Sequence, residues 1–286
     1  MNSNMRKIMY IAISIICVVS IIFAVYYQLF AKKIVNEGDV NQTSNTINSE
    51  NNVETAESLL KEFNKLFTNT FYKQKYSTEN VKRIETLEDY EIVYTCYNIQ
   101  QKEENKYEVD VKLPAINISS DVVNEFNGIT QSVFADKTTA VLAGPEKYTI
   151  YNVEYVAYLN DNILSIAIKS TLKEGDNAQR VIIQTYNYDI NTGKSLSLND
   201  VLSQYKIATR DVNKIIEKQI TQASKEAQAI TDATGQVMYK RDLNSAIYAT
   251  DNVTNFLVGK NGTIYIVYPY GNTNATSETD VIKIVH

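Results

Sequence analysis

The sequence holds one histidine, and it is the last residue, His286. Histidine-based acid–base or nucleophilic catalysis would have to use that terminal residue, so it is not expected. Tryptophan is absent, and the two cysteines are Cys17 and Cys96. Cys17 sits inside an apolar run, where it reads as a small apolar residue. Cys96 is then alone in the rest of the chain, which excludes an internal disulfide there. It stands in Tyr94-Thr95-Cys96-Tyr97 without a second cysteine, a histidine or a basic neighbour. It is expected to pack as a small hydrophobe, without a redox or metal role. Only three prolines and nine glycines occur in 286 residues, which excludes collagen-like and low-complexity designs. With 44% hydrophobic and 21% charged residues the chain is not wholly disordered. No Gly-x-Ser-x-Gly, phosphate loop or dinucleotide fingerprint is present.

Charge is unevenly spread. The net charge is −5. Arg6, Lys7, Lys32 and Lys33 flank the run from Ile8 to Phe30, and no acid precedes Glu37. Setting those four aside leaves 24 basic against 33 acidic residues from Ile34 onward. Such a surface repels nucleic acid and anionic polymers and attracts cationic partners. The run itself carries no formal charge. At about 1.5 Å per residue its helix would span roughly 34 Å, enough for a bilayer core. It is longer than the apolar core of a cleaved signal peptide, and Tyr26-Tyr27-Gln28-Leu29-Phe30 offers no small-x-small cleavage site. The expectation is an uncleaved signal anchor, with residues 1–7 in the cytoplasm and the remainder outside. Residues 31–53 read as a flexible stalk: between Asn36 and Asn52 most residues are Asn, Gln, Thr, Ser, Glu or Asp.

Periodicity organises the rest. Ala56, Leu59, Leu60, Phe63, Leu66 and Phe67 recur at helical spacing. Strands are expected over 91–99 and 106–113. A helix is expected next, capped by Ser119 or Ser120, with Val122, Val123, Phe126, Ile129, Val133 and Phe134 inward. Three strands over 149–159, 163–172 and 180–190 are joined by Asn160-Asp161-Asn162 and Gly175-Asp176-Asn177. Such short connections make an antiparallel meander. A short helix near Asn199 and a long one over 209–229 follow. The stretch 231–255 is poorly patterned. Gly259-Lys260-Asn261-Gly262 joins a hairpin, and 280–285 is the last strand.

Candidate chemistry is sparse. Asn187, Asp189 and Asn191 alternate as in a calcium loop, but Thr192 and Leu198 stand where that loop needs Gly and Glu. The acid pairs Glu278 and Asp280, and Asp121 and Glu125, read as solvated surface, not as a glycosidase couple. No enzyme activity, cofactor or metal is expected. Tyrosine is abundant, at 21 residues. Most suit half-buried strands. Tyr268-Pro269-Tyr270, beside the polar Gly271-Asn272-Thr273-Asn274, is the candidate ligand-binding surface, because tyrosine offers contact area and a hydroxyl at low entropic loss.

The stretch Tyr186-Asn187-Tyr188-Asp189-Ile190-Asn191-Thr192-Gly193-Lys194-Ser195-Leu196-Ser197-Leu198-Asn199-Asp200-Val201-Leu202, with the meander before it and the long helix after it, resembles the extracytoplasmic domain of RsiV-type proteins. Roughly Tyr90 to Leu202 is similar to the accessory domain of PdaC-type peptidoglycan deacetylases. Gly262-Thr263-Ile264-Tyr265-Ile266-Val267-Tyr268-Pro269-Tyr270 resembles the C-terminal half of the RsiV ectodomain. RsiV-type proteins are membrane-anchored anti-sigma factors whose external domain binds lysozyme. The resemblance therefore implies an external binding domain for a cationic protein. It does not extend to sigma-factor binding, because Met1 to Lys7 is too short for that segment. Nor does it imply deacetylation, which belongs to a separate metal-binding catalytic domain. The family tends to carry an acid after its Pro-Tyr pair, where Gly271 stands here.

The expected class is α+β: an N-terminal transmembrane helix, then an antiparallel sheet with helices packed on one side. The expected division is a tail over 1–7, an anchor over 8–30, a stalk over 31–53, a PdaC-like domain over 54–202 and an RsiV-like domain over 203–286. The expected role is a single-pass, cell-membrane binding or sensing module of the envelope. Its partner is expected to be a lysozyme-like protein. A peptidoglycan-binding scaffold is the alternative, and an envelope hydrolase is a further one.

Overall fold

The computed structural model describes residues 54–74, 78, 81–84, 91–271 and 277–286. The expected tail, anchor and stalk, with Arg6, Lys7, Lys32 and Lys33, lie outside the described residues. Among the described residues no helix is long and apolar enough to cross a membrane.

Local signals start the helices. Helix α1 (Ala56–Asn64) begins where the Thr55 hydroxyl accepts from Ser58 N at 3.2 Å. Helix α2 (Asp121–Thr130) begins at Ser120, whose hydroxyl accepts from Val123 N. A π-helical turn (Gln131–Ala135) joins it to α3 (Asp136–Leu142). Helix α4 (Leu198–Gln204) carries a reciprocal cap between Ser197 and Asp200. The long α5 (Thr209–Thr234) ends at Gly235, whose φ of +73° closes the last turn. It thus runs into the stretch that sequence left unpatterned.

The larger sheet holds β1 (Thr70–Lys73), β2 (Val93–Glu103), β3 (Tyr107–Ile116), β4 (Thr149–Asn160), β5 (Ile163–Glu174), β6 (Arg180–Asp189) and β7 (Lys194–Ser195). Its order is β2-β3-β4-β5-β6-β7. The β4-β5-β6 meander is antiparallel throughout. Strand β4 is the exception on its other edge. There β3 runs parallel to its first half and β1 parallel to its second half. The α2–α3 segment makes the long crossover that a parallel β3–β4 pair requires. The sheet is therefore antiparallel-rich, not wholly antiparallel. A smaller antiparallel sheet holds β8 (Phe256–Val258), β9 (Ile264–Tyr270) and β10 (Glu278–Ile284), in the order β10-β9-β8. Asn261, at φ +57°, turns the chain between β8 and β9.

Strand alternation distributes the cores. On one face Val153, Tyr155, Ala157 and Leu159 of β4 meet Phe126, Phe134 and Val141 of the α2–α3 segment. On the other, Val156 and Tyr158 meet Phe63 of α1 and Leu257, Tyr265 and Val267 of the small sheet. The far face of the small sheet packs Ile264, Ile266 and Ile282 against Val212, Ile216 and Ile220 of α5. The expectation of helices on one side only is thus corrected. Residues of β4, β5 and β6 are apolar on both faces, and α1 takes the face opposite α2. A second correction concerns α2. Ile129 and Val133, expected inward, are 39% and 46% exposed. The π-helical turn breaks the 3.6-residue phase, and Phe134 keeps the inward place. Cys96, expected to be packed, is exposed, because the register of β2 shifts between Thr95 and Tyr97.

The two sheets are joined by side chains. Strand β8 lies at an edge of the small sheet. Phe256 N donates to Thr185 Oγ1 at 2.8 Å, and Asn187 Nδ2 donates to Phe256 O at 2.9 Å. Val258 N donates to Ser165 Oγ at 2.8 Å. Asn160 Nδ2 donates to Val258 O at 3.3 Å and Gly259 O at 2.9 Å. Asn160→Ala would leave the buried Val258 carbonyl without that donor, while the Gly259 carbonyl keeps its bond from Gly262 N at 3.3 Å. A loss of about 1–3 kcal/mol in urea unfolding is expected. A variant within about 0.5 kcal/mol of the parent, the range of an ordinary surface change, would refute this role for the seam.

Candidate functional site

Beyond the reach of β8 the large sheet's face borders a groove. The groove, of about 740 Å3, lies between the ends of β5 and β6, helix α1, helix α5 and the start of β10. Its floor is Leu60, Val181 and Ile183, and Ala223 and Ala227 form its α5 wall. Small side chains on α5 leave the space that a leucine at either place would fill. Helix α1 is tied to that wall where Ala56 N donates to Glu226 Oε2 at 3.0 Å. The other Glu226 oxygen accepts from Gln222 at 2.8 Å.

Four carboxylates and two cations line the groove: Glu57, Glu226, Glu278 and Asp280 against Lys169 and Arg241. Both cations are held. Lys169 pairs with Glu154 at 2.6 Å and sits 4.6 Å from the centre of the Phe67 ring. Arg241 is 7% exposed. Its guanidinium donates to both Asp280 oxygens at 3.0 and 2.9 Å, to Glu278 at 3.1 Å and to the Tyr239 carbonyl at 2.7 Å. Burial works against its charge, but Asp280 and Glu278 outweigh it and raise its pKa further. Of the acids expected as solvated surface, Asp121 and Glu125 are exposed, whereas Asp280 is buried and Glu278 half-buried, both paired with Arg241. Glu278 and Asp280 alternate along β10 and share one face, which turns toward the chain after α5.

Tyrosines extend this cluster. Tyr270 stacks on Tyr239 at 4.4 Å, lies 5.1 Å from the Arg241 guanidinium and shares a 2.9 Å hydrogen bond with the Tyr248 hydroxyl. Tyr268 packs edge-on against Tyr248. Burial, then the nearby Asp280 charge, push the Tyr270 hydroxyl pKa up, and burial does the same for Tyr268. Of the three residues singled out from sequence, Tyr268 and Tyr270 are buried and only Pro269 is exposed. The signal was available. Tyr268 and Tyr270 continue the two-residue period of Ile264 and Ile266, so they share that buried face. None of the three lines the groove. Arg241 was missed because it stands in the stretch without pattern.

On the other face of β10, Lys283 donates to Glu62 of α1 at 2.8 Å, and the Tyr265 hydroxyl donates to the same carboxylate at 2.8 Å. Burial pulls the Glu62 pKa up. The Lys283 and Tyr265 bonds outweigh it, so the group sits below its ordinary 4.5. Asp189, weighed above as a calcium ligand, accepts from Asn191 N at 2.8 Å and Thr192 N at 3.1 Å, which closes the turn. Among the described residues no group of His, Cys, Asp and Glu could hold a metal ion.

No family model matches this chain, and no curated protein matches it. Two solved structures to which it is similar are proteins of the DUF3298 family. One, from Pseudomonas aeruginosa PAO1, has a TM-score of 0.34 and 11% identity, over 68% of this chain and 91% of that one. Another, from Bacteroides fragilis NCTC 9343, has a TM-score of 0.34 and 13% identity, over 65% of this chain and 88% of that one.

Two predictions follow from the cluster and the ion pair. The Tyr268 hydroxyl is buried and has no hydrogen-bond partner among the described residues. Tyr268→Phe should leave stability unchanged or raise it, whereas Tyr270→Phe removes the Tyr248 bond and should lose about 1 kcal/mol. Equal effects in thermal or urea unfolding would contradict this assignment. Second, the lowered Glu62 pKa means that its contribution is present above the unfolded value and lost as pH falls through the folded one. The stability gap between the parent and Glu62→Gln should therefore narrow from about pH 7 to about pH 3. A gap that stays constant over that range would show that the Glu62 carboxylate gains nothing from its partners.

Proposed function

We propose that this chain is a membrane-anchored, non-catalytic binding module of the cell envelope, held outside the cytosol, whose ligand is a cationic protein. The observation that carries the reading is the open groove, about 740 Å3, with an apolar floor and an excess of carboxylates. Its volume is that of a ligand site. Its carboxylates match the acidic balance of the chain beyond Ile34, and opposite charge raises encounter rates. The uncharged run from Ile8 to Phe30 supports the anchor, and the Asn-rich segment after it supports a stalk. The RsiV-like stretch adds lysozyme as the candidate to try first.

A protein ligand is favoured over a glycan by the lining itself. Sugar rings bind by laying their C–H faces on aromatic side chains. No aromatic residue is among those lining the groove. The test uses the full chain in detergent, titrated with lysozyme at about 50 and about 200 mM salt. Binding should weaken as the screening length shortens. Exposed Glu57 lies at the rim, and Glu57→Lys should weaken binding several-fold while unfolding changes by only about 0.3–1 kcal/mol. No binding at either salt, or binding that ignores both salt and Glu57, would remove the lysozyme reading.

A further inference from the structure

The edge of β6 borders this groove, and among the described residues no strand but β7 pairs along it. Leu196 N donates to Asn187 O at 2.8 Å and Gly193 N to Asp189 O at 2.7 Å. Odd-numbered residues of β6 therefore turn their backbone groups away from β5. The same alternation aims those of Val181, Ile183 and Thr185 outward. Strand β7 pairs only with Tyr188 and Asp189 and stops short of them. Ser277 Oγ takes Val181 N at 3.2 Å. Among the described residues no strand meets the outward groups of Ile183 and Thr185.

The opposite edge of the sheet is defended. Strand β2 carries a bulge between Thr95 and Tyr97 and ends in Lys102 and Glu103. From Val181 to Thr185, β6 has no charge, no proline and no bulge, and Ile182 is 51% exposed. Folded proteins blunt or cover such an edge, because it templates pairing with another chain.

We propose that the groove's ligand is an extended basic segment of the partner protein, which adds as a strand to the β6 edge. This rests on the binding-module reading and specifies its chemistry. In an added strand, residues opposite Val181 and Ile183 enter the groove, and those between them lie beside Ile182 on the other face. The groove's two cations are already held by Glu154, Asp280 and Glu278, while the exposed Glu57 is in no ion pair among the described residues. Alternate lysines or arginines therefore suit the groove side, with apolar residues between them. A second copy of β6 would offer Val181 and Ile183 to the groove, which carry no charge.

The probe is a heptapeptide of alternating lysine and valine, added to the full chain in detergent. Calorimetry gives affinity, and hydrogen exchange reports the amides of Ile183 and Thr185. Binding should slow exchange at both. Replacing every lysine by glutamate should abolish binding. N-methylation of one alternate set of residues should weaken binding by about tenfold or more, and of the other set by less than about twofold, since only one set turns its amides to β6. Equal loss from both sets, equal binding of the glutamate peptide, or protection elsewhere would overturn strand addition. So would protection that rises with protein concentration alone, which would assign the edge to a second copy. If lysozyme binds but Ile183 and Thr185 stay unprotected, strand addition falls and the binding module stands. If neither ligand binds, both fall.

Discussion

Everything around the groove depends on four polar side chains that grip one short strand. Thr185, Asn187, Ser165 and Asn160 satisfy the amides and carbonyls of Phe256 and Val258, the groups that β9 does not take. An unpaired edge strand is ordinarily a liability. Here the large sheet's side chains complete it, so a sheet of three strands can stay flat against another without a fourth. The same bonds fix where the small sheet sits. Phe256 starts level with Thr185, so Val181 and Ile183 lie past its end, where they line the groove. Buried polar groups hold such a position only when each finds its partner, because the low dielectric makes every unmade bond expensive.

The Arg241 cluster obeys the same condition with charges. A lone guanidinium at this depth would face a large desolvation penalty. Two carboxylates, a carbonyl and the face of Tyr270 surround it. One cation against two anions leaves the cluster negative, and its acids line the groove. The stabilising network and the groove's acidity are thus one feature. An apolar replacement of similar volume would pack, yet it would remove the pinning of the chain after α5 to β10. That chain carries Tyr239 and Tyr248, which cover Tyr270 and Tyr268.

Much of the fold was legible along the chain, and the limits have physical reasons. The meander, the cap at Ser120 and the Asn-Gly turn are local, so residue spacing and turn chemistry revealed them. The parallel pairing of β1 and β3 with β4 was not legible, because a long crossover leaves no short connection to read. The burial of Tyr268 and Tyr270 was legible in the period of β9, but the polar residues after Gly271 drew attention outward.

The groove was illegible for a different reason. Periodicity reports which face of an element is buried, not what buries it. The residues that dock one sheet on the other, Asn160, Ser165, Thr185 and Asn187, each read locally as a turn residue or a strand-surface residue. Only their partners across 69 to 99 residues of chain show that they form one seam. A site defined by where such a seam stops cannot be written in any single stretch. It emerges from a length mismatch, a three-residue strand lying across a ten-residue one.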